Sequence, residues 1–512
     1  MSSFDLLCVR SLTRRGYGML QVVLVAAVAM ISSPAAAEKV LRIGVNALPP
    51  FLGNPFATTA TPSITTLSAF FDQLTRVDRT GVVVPWLATR WENIDPYTWR
   101  FHLRKNVIFS NGAPFNASAV INTVNYLTSP ESLTQGTRRE LPFLKSVRRI
   151  DDYTVDIITS EQVPFFPRYT SSLVIAEPTA WRELGAEEYA RQPVSTGPFR
   201  LDEWLPTKAK MTAFRESWRS PQVDRLEVIA LVQISSRVQA LQSGNIHIST
   251  NLGPDDIQAV EASGGTGMSW VAAAVQGISF VLDKPNIFDD VRIRRALNMA
   301  VNRDLITQAL LDGTAVPAHQ PAPRVAFGYN PSVLPYPYDL EAAEALLAEA
   351  GYPDGFSFTM ETSLGAANIA AIYQQVAADL KRIGVEMIIR VRPVAPFLAD
   401  NLNGFYKSDA VTWRWPVWPT VDVLRSMLIH SCRQRVPWYC DREFQPVIDA
   451  AFREWDSDKA LELRHQIMQQ YHDQAPAIFL YEEPLFAGLA PGVAGFEDIH
   501  GFVSYDQITI GD

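Results

Sequence analysis

Three tryptophans and an arginine fall within six residues, Trp413-Arg414-Trp415-Pro416-Val417-Trp418. An indole face suits a sugar ring, an aromatic group or a cation, and a guanidinium suits a carboxylate or phosphate. That chemistry is recognition, and the cluster reads as the wall of a binding cleft, because tryptophan is seldom fully buried and often serves interfaces. The alternative is that these rings fill a core. Groups arranged for covalent chemistry are missing. The chain has no G-x-S-x-G, no Walker loop, no G-x-G-x-x-G after a strand and no C-x-x-C. The glycine-rich run Ser263 to Gly267 lacks the strand-to-helix setting of a phosphate cradle. Glu482 and Glu483 are adjacent, so in a strand they point to opposite faces and cannot work as an acid–base pair. The seven histidines show no metal-ligand spacing; they read as solvated surface residues, and neither a metal nor a cofactor is expected.

The elements that must carry these residues can be read from periodicity. Val40 to Val45, Trp99 to Leu103, Thr154 to Ile158, Leu226 to Val232 and Val385 to Val391 read as strands. Ala117 to Leu127, Ser235 to Ser243, Val291 to Leu311, Leu340 to Ala350, Ala366 to Ile383, Phe444 to Trp455 and Lys459 to Tyr471 read as helices. Asp290 opens the third of these, Asp339 caps the fourth, and Gly351 and Gly384 stop the fourth and fifth. Alternating strands and helices over 512 residues indicate an α/β protein of more than one lobe. A formal charge of −9 disfavours a phosphate backbone, so nucleic acid is not an expected partner.

Arg10, Arg14 and Arg15 precede an apolar stretch from Met19 to Ile31, and Ala35-Ala36-Ala37 follows it. This is the layout of a secretory signal peptide over residues 1–37, cleaved after Ala37. Cleavage removes Cys8 and leaves Cys432 and Cys440, eight positions apart, to pair as a disulfide in an oxidising compartment. No cysteine sits at the cleavage junction for lipid attachment. The expected location is therefore the periplasm, with the mature chain a soluble monomer.

Several blocks in order resemble one known family: Phe71 to Asp78, Gly81 to Ala88, Tyr97 to Phe109, Asn111 to Phe115, Ser195 to Phe199, Asp290 to Ala300 and Leu346 to Tyr352. They resemble the extracellular solute-binding proteins of family 5, the peptide, dipeptide and nickel class of ABC-importer receptors. The resemblance implies a periplasmic-binding-protein type II fold, a Venus flytrap of two hinged α/β lobes with an inserted third. Lobe I would comprise residues 38–66, 195–274 and 480–512, lobe II residues 67–194, and lobe III residues 275–479. A small-molecule ligand would lie between lobes I and III and be delivered to a permease, with no catalysis.

The resemblance also places residues. Trp413, Arg414, Trp415 and Trp418 fall in the lobe III stretch that faces the cleft. Asn54 and Phe56 follow the first strand, where the family's backbone approaches ligand. Gln276 and Gly277 lie at the crossover between lobes I and III. In peptide binders of this kind an aspartate in the tryptophan stretch takes the amino terminus; here Pro416 stands near that place and Asp422 further along. The expected ligand is a peptide or peptide-sized polar compound. An oligosaccharide or an opine-like conjugate is the alternative for the same role, and a secreted glycoside hydrolase is the alternative of a different class.

Overall fold

The computed structural model describes residues 38–511 except 58, 60 and 364–368, so the expected signal peptide and its cleavage site lie outside the described residues. In chain order the main strands are β1 (Val40–Val45), β2 (Ala88–Asp95), β3 (Thr98–Leu103), β4 (Leu144–Asp151), β5 (Thr154–Thr159), β6 (Phe199–Leu205) and β7 (Lys208–Ala213). There follow β8 (Arg225–Ala230), β9 (Ile248–Thr250), β10 (Thr266–Phe280), β11 (Phe356–Thr362), β12 (Val385–Val391), β13 (Ala410–Pro416) and β14 (Ala477–Leu489).

Most of these strands join one large mixed sheet in the order β12-β11-β13-β10-β14-β9-β1-β8-β7-β6. Strand β1 runs parallel to both β8 and β9, and β11 runs parallel to both β12 and β13. The two parallel groups are joined by the long antiparallel pair β10–β14, whose register breaks between Val271 and Val275. Strands β2 to β5 form a separate four-stranded antiparallel sheet in the order β2-β3-β5-β4. Among the described residues, no helix is long and apolar enough to cross a membrane.

Local signals explain most helix ends. Asp290 accepts the Arg292 N–H at the start of Val291–Ala300, and Asp339 accepts the Ala342 N–H at the start of Leu340–Glu349. The helix expected to run on to Leu311 stops at Ala300. Asn302 interrupts it: its N–H donates to Asp379 Oδ2 at 3.0 Å, while its own Oδ1 accepts from Leu305 N at 2.9 Å. A side chain that caps a new turn competes with helix continuation. The Ser263–Gly267 run leads from the C-terminal turn of the helix Pro254–Ala262, with Gly264 at φ 84°, into the first residues of β10.

Candidate functional site

In open α/β sheets, ligands lie in the crevice beyond the carboxyl ends of the parallel strands. Here the loops after β1, β8 and β9 contribute Asn46, Gln233 and Asn251 to a cavity of about 460 Å³. Gln276 from β10 and Tyr481 and Glu483 from β14 form the opposite wall. The cavity therefore sits where the two parallel groups of the sheet meet. Its volume is in the range of small-molecule sites, roughly 300–1,000 Å³.

One buried guanidinium holds the first wall. Arg237, in the helix Ile234–Gln242, donates to the carbonyls of Leu231 (2.6 Å), Val232 (3.0 Å), Thr250 (3.1 Å) and Asn251 (2.7 Å). Those carbonyls belong to the last residue of β9 and to the loops after β8 and β9. Desolvation lowers the Arg237 pKa, offset in part by Asp256. Replacing Arg237 by methionine leaves the carbonyls without their donor. Because hydrogen bonds to charged groups contribute about 1.5–3 kcal/mol each, we expect a loss of about 3 kcal/mol or more, measured as a lower urea midpoint at unchanged slope.

The second wall carries the charge. Glu483 accepts hydrogen bonds from Arg414 Nη2 and, at 3.1 Å, from Gln276 Nε2. The Arg414 guanidinium lies 4.5 Å from the centroid of the Trp418 ring, and Arg425 approaches the same ring at 5.8 Å. Thr412, two positions before Arg414 and so on the same face of β13, bonds Thr362 Oγ1 at 3.1 Å. Asn46 Oδ1 is buried without a hydrogen-bond partner among the described residues. Burial raises the Tyr481 hydroxyl pKa well above its usual value, with the nearby Tyr373 and Glu483 adding to the shift. The neighbouring Glu482 points the other way, as strand alternation requires: it faces Arg324 Nε at 3.4 Å, and burial raises its pKa. A carboxylate beside a guanidinium in one wall can take an ammonium on the first and a carboxylate on the second.

Of the residues singled out in the sequence, Gln276 lines this cavity and Arg414 reaches it through Glu483. Trp415 does not. Its ring is fully buried, stacked on His430 at 3.9 Å and edge-on to Phe479 at 5.2 Å, Trp438 at 5.6 Å and Tyr471 at 5.9 Å. The cause is again alternation: Arg414 faces the polar wall, so Trp413 and Trp415 face the opposite layer. Trp413 is partly buried beside His430, with ring centroids 6.0 Å apart. Gly277 serves the same packing, since a Cβ there would meet Ile478 O at 3.0 Å and Trp415 Nε1 at 3.4 Å. Phe56 is fully buried against Trp181 (4.9 Å) and Tyr126 (5.2 Å), and Asn54 Oδ1 accepts the Phe56 N–H at 2.9 Å in a local turn. Neither Asn54 nor Phe56 is on the cavity wall.

His430, expected at the surface, is buried, and desolvation pushes its pKa down to about 3. A disulfide joins Cys432 to Cys440, and within that loop Trp438 Nε1 donates to His430 Nδ1 at 3.1 Å. The described residues contain no cluster of His, Cys, Asp and Glu able to hold a metal ion.

This packing separates two substitutions. Trp415→Ala should lower stability by about 3–5 kcal/mol, the usual cost of truncating a buried large aromatic. Trp413→Ala should cost less than half as much, since its ring is only partly buried. Chemical denaturation of both variants reads the difference.

Sequence reasoning missed Glu483, Asn46, Arg237 and Tyr481 as site residues. One signal was available for Glu483: two carboxylates interrupt an otherwise apolar strand, Ile478-Phe479-Leu480-Tyr481-Glu482-Glu483-Pro484-Leu485-Phe486. A charge in such a strand needs a partner or a ligand.

Residues 82–431 match the family described as bacterial extracellular solute-binding proteins, family 5 Middle. The dipeptide-binding protein of Escherichia coli (strain K12) is 27% identical over 450 residues, covering 81% of this chain and 84% of that protein. The glutathione-binding protein GsiB of Pectobacterium atrosepticum is 25% identical over 486 residues, covering 91% of this chain and 93% of that one. Among solved structures, the periplasmic binding protein DppA from Helicobacter pylori, in complex with the peptide STSA, superposes with a TM-score of 0.80 at 22% identity, covering 92% of this chain and 98% of that one.

Proposed function

This chain belongs to the bacterial extracellular solute-binding proteins of family 5, and we propose that it receives short peptides in the periplasm and delivers them to an ABC-importer permease. It acts as a receptor, not an enzyme. The observation that carries the peptide reading is Glu483 in the wall of the cavity at the strand carboxyl ends, with Arg414 hydrogen-bonded to it. A short peptide is a zwitterion, and its ammonium pairs with Glu483 while its carboxylate pairs with Arg414. The binding proteins for dipeptides and glutathione among the relatives support a ligand of this size and charge.

In this reading the leader is removed after Ala37 and the mature chain works as a monomer. The β10–β14 pair, shared by both parallel groups, is the hinge about which the two halves close. A ligand touching both walls binds the closed arrangement better and shifts the population toward it.

The test has two steps. Ligand released by denaturing the protein purified from its native periplasm is identified by mass spectrometry; calorimetry then compares a free dipeptide with its N-acetylated and C-amidated forms. We expect a released peptide, and weaker binding after either end is blocked. An oligosaccharide or an opine-like conjugate in the released fraction, with no dipeptide binding at millimolar concentration, overturns the peptide reading and leaves the receptor role standing.

A further inference from the structure

A second cavity, of about 490 Å³, lies on the other side of β14 and shares no lining residue with the first. The alternation at Glu482–Glu483 makes the separation: Glu483 lines the first cavity and Glu482 the second. Trp270 from β10 and Phe496 form an aromatic corner there, with ring centroids 6.3 Å apart in an edge-to-face arrangement.

The cavity is lined by two guanidiniums, Arg79 and Arg324, and two carboxylates, Glu482 and Asp498, but both guanidiniums already have partners. The Arg79 guanidinium is paired with Glu497 at 2.5 Å, and Arg324 faces Glu482 at 3.4 Å. His500 bonds the Asp78 carbonyl oxygen at 2.9 Å, and burial lowers its pKa, so it is neutral at pH 7. Asp498 remains. Its one partner among the described residues is the Gly501 N–H, 2.7 Å from Oδ1, and no cation offsets its charge. The corner thus offers a carboxylate without a counter-ion beside two aromatic rings.

We propose that this second cavity binds a small organic ammonium with an apolar or aromatic body, the ammonium on Asp498 and the body against Trp270 and Phe496. An ammonium gains from both features at once, since a carboxylate and an indole face each attract cations. A neutral ligand forgoes the first and an anion meets Asp498 and Glu482 together. The site is distinct from the one in the peptide reading above, because the two cavities share no lining residue.

Phenethylamine is the probe, with 2-phenylethanol as the neutral isostere. Isothermal titration of the full mature protein, with and without saturating dipeptide, reads both sites. We expect the amine to bind at least tenfold more tightly than the alcohol and to be indifferent to dipeptide at the first site. Asp498→Asn removes the preference for the amine, and Trp270→Leu weakens both probes. Burial raises the Asp498 pKa to about 6, so amine affinity should fall as pH drops below that value and the carboxylate takes a proton. Equal affinity for amine and alcohol, or amine binding that survives Asp498→Asn, overturns the proposal. So does displacement of the amine by dipeptide, which would place both ligands in the first cavity. The first-cavity variant Glu483→Gln should leave amine binding intact, and its loss there would also overturn the assignment.

Discussion

Glutamine in place of Glu483 is expected to weaken binding of a free dipeptide by about tenfold to a hundredfold while the unfolding midpoint barely moves. A charge-assisted hydrogen bond contributes about 1.5–3 kcal/mol, and each 1.4 kcal/mol is a factor of ten in affinity. Stability is spared because the glutamine carbonyl can still accept from Arg414 while its NH2 group donates to a flipped Gln276 amide, and because the Arg414 side chain, 36% exposed, can recover hydration. Calorimetry on Glu483→Gln, Arg414→Ala and the double variant forms a cycle. If the two groups hold opposite ends of one ligand, each single change weakens binding. The cycle also captures a cost hidden in the free protein: the Arg414–Glu483 contact must loosen when ligand enters. An affinity unchanged in both single variants would remove this wall from the binding site.

The second large effect concerns folding. Asp422 and Arg464 are both fully buried and form a two-pronged ion pair, Nε to Oδ1 at 3.0 Å and Nη2 to Oδ2 at 2.8 Å. Asp422 Oδ1 also accepts the Leu424 N–H at 2.9 Å, starting the helix Val423–Met427. The pair ties the end of the tryptophan segment to the helix Ser457–Gln474. Breaking a buried pair from one side strands the other charge, so Asp422→Ala should lose about 3–5 kcal/mol. Replacing both partners, as Asp422→Leu with Arg464→Met, should restore part of that loss, because Arg464 no longer strands a charge while the nearby buried Arg168 still loses the Asp422 carboxylate. Urea unfolding of the single and double variants checks the sign. A double variant as unstable as the single would mean that the cap and the loop tie matter more than the charge. In either case Asp422 is too deeply buried to receive a peptide's amino terminus in this arrangement.

Much of the fold was legible because its signals are local. The alternation of Val40 to Val45, the caps at Asp290 and Asp339, and the stop at Gly351 depend on nearest neighbours along the chain. The premature end at Ala300 was not legible, because Asn302 is fixed by Asp379, 77 positions away. Arg237 looked like an ordinary helix residue for the same reason: its four carbonyl partners are assembled by the last residue of β9 and the loops after two strands. His430 carried no sequence mark of burial; its place follows from Trp415 on one side and Trp438 on another.

The tryptophan segment divides most clearly. From sequence alone it follows that Glu482 and Glu483 face opposite ways in a strand, since side chains alternate with period two, and the same rule separates Arg414 from Trp413 and Trp415 once that segment is seen to be β13. Which side meets the cavity and which the core is a different matter, because a period has no absolute phase. That phase is set by what covers each face: His430, Phe479 and Tyr471 crowd one side of β13, while Gln276 and Glu483 leave room on the other. The chain therefore encodes the alternation locally, and only the packed layers decide that the guanidinium, and not the indole of Trp415, reaches the ligand wall.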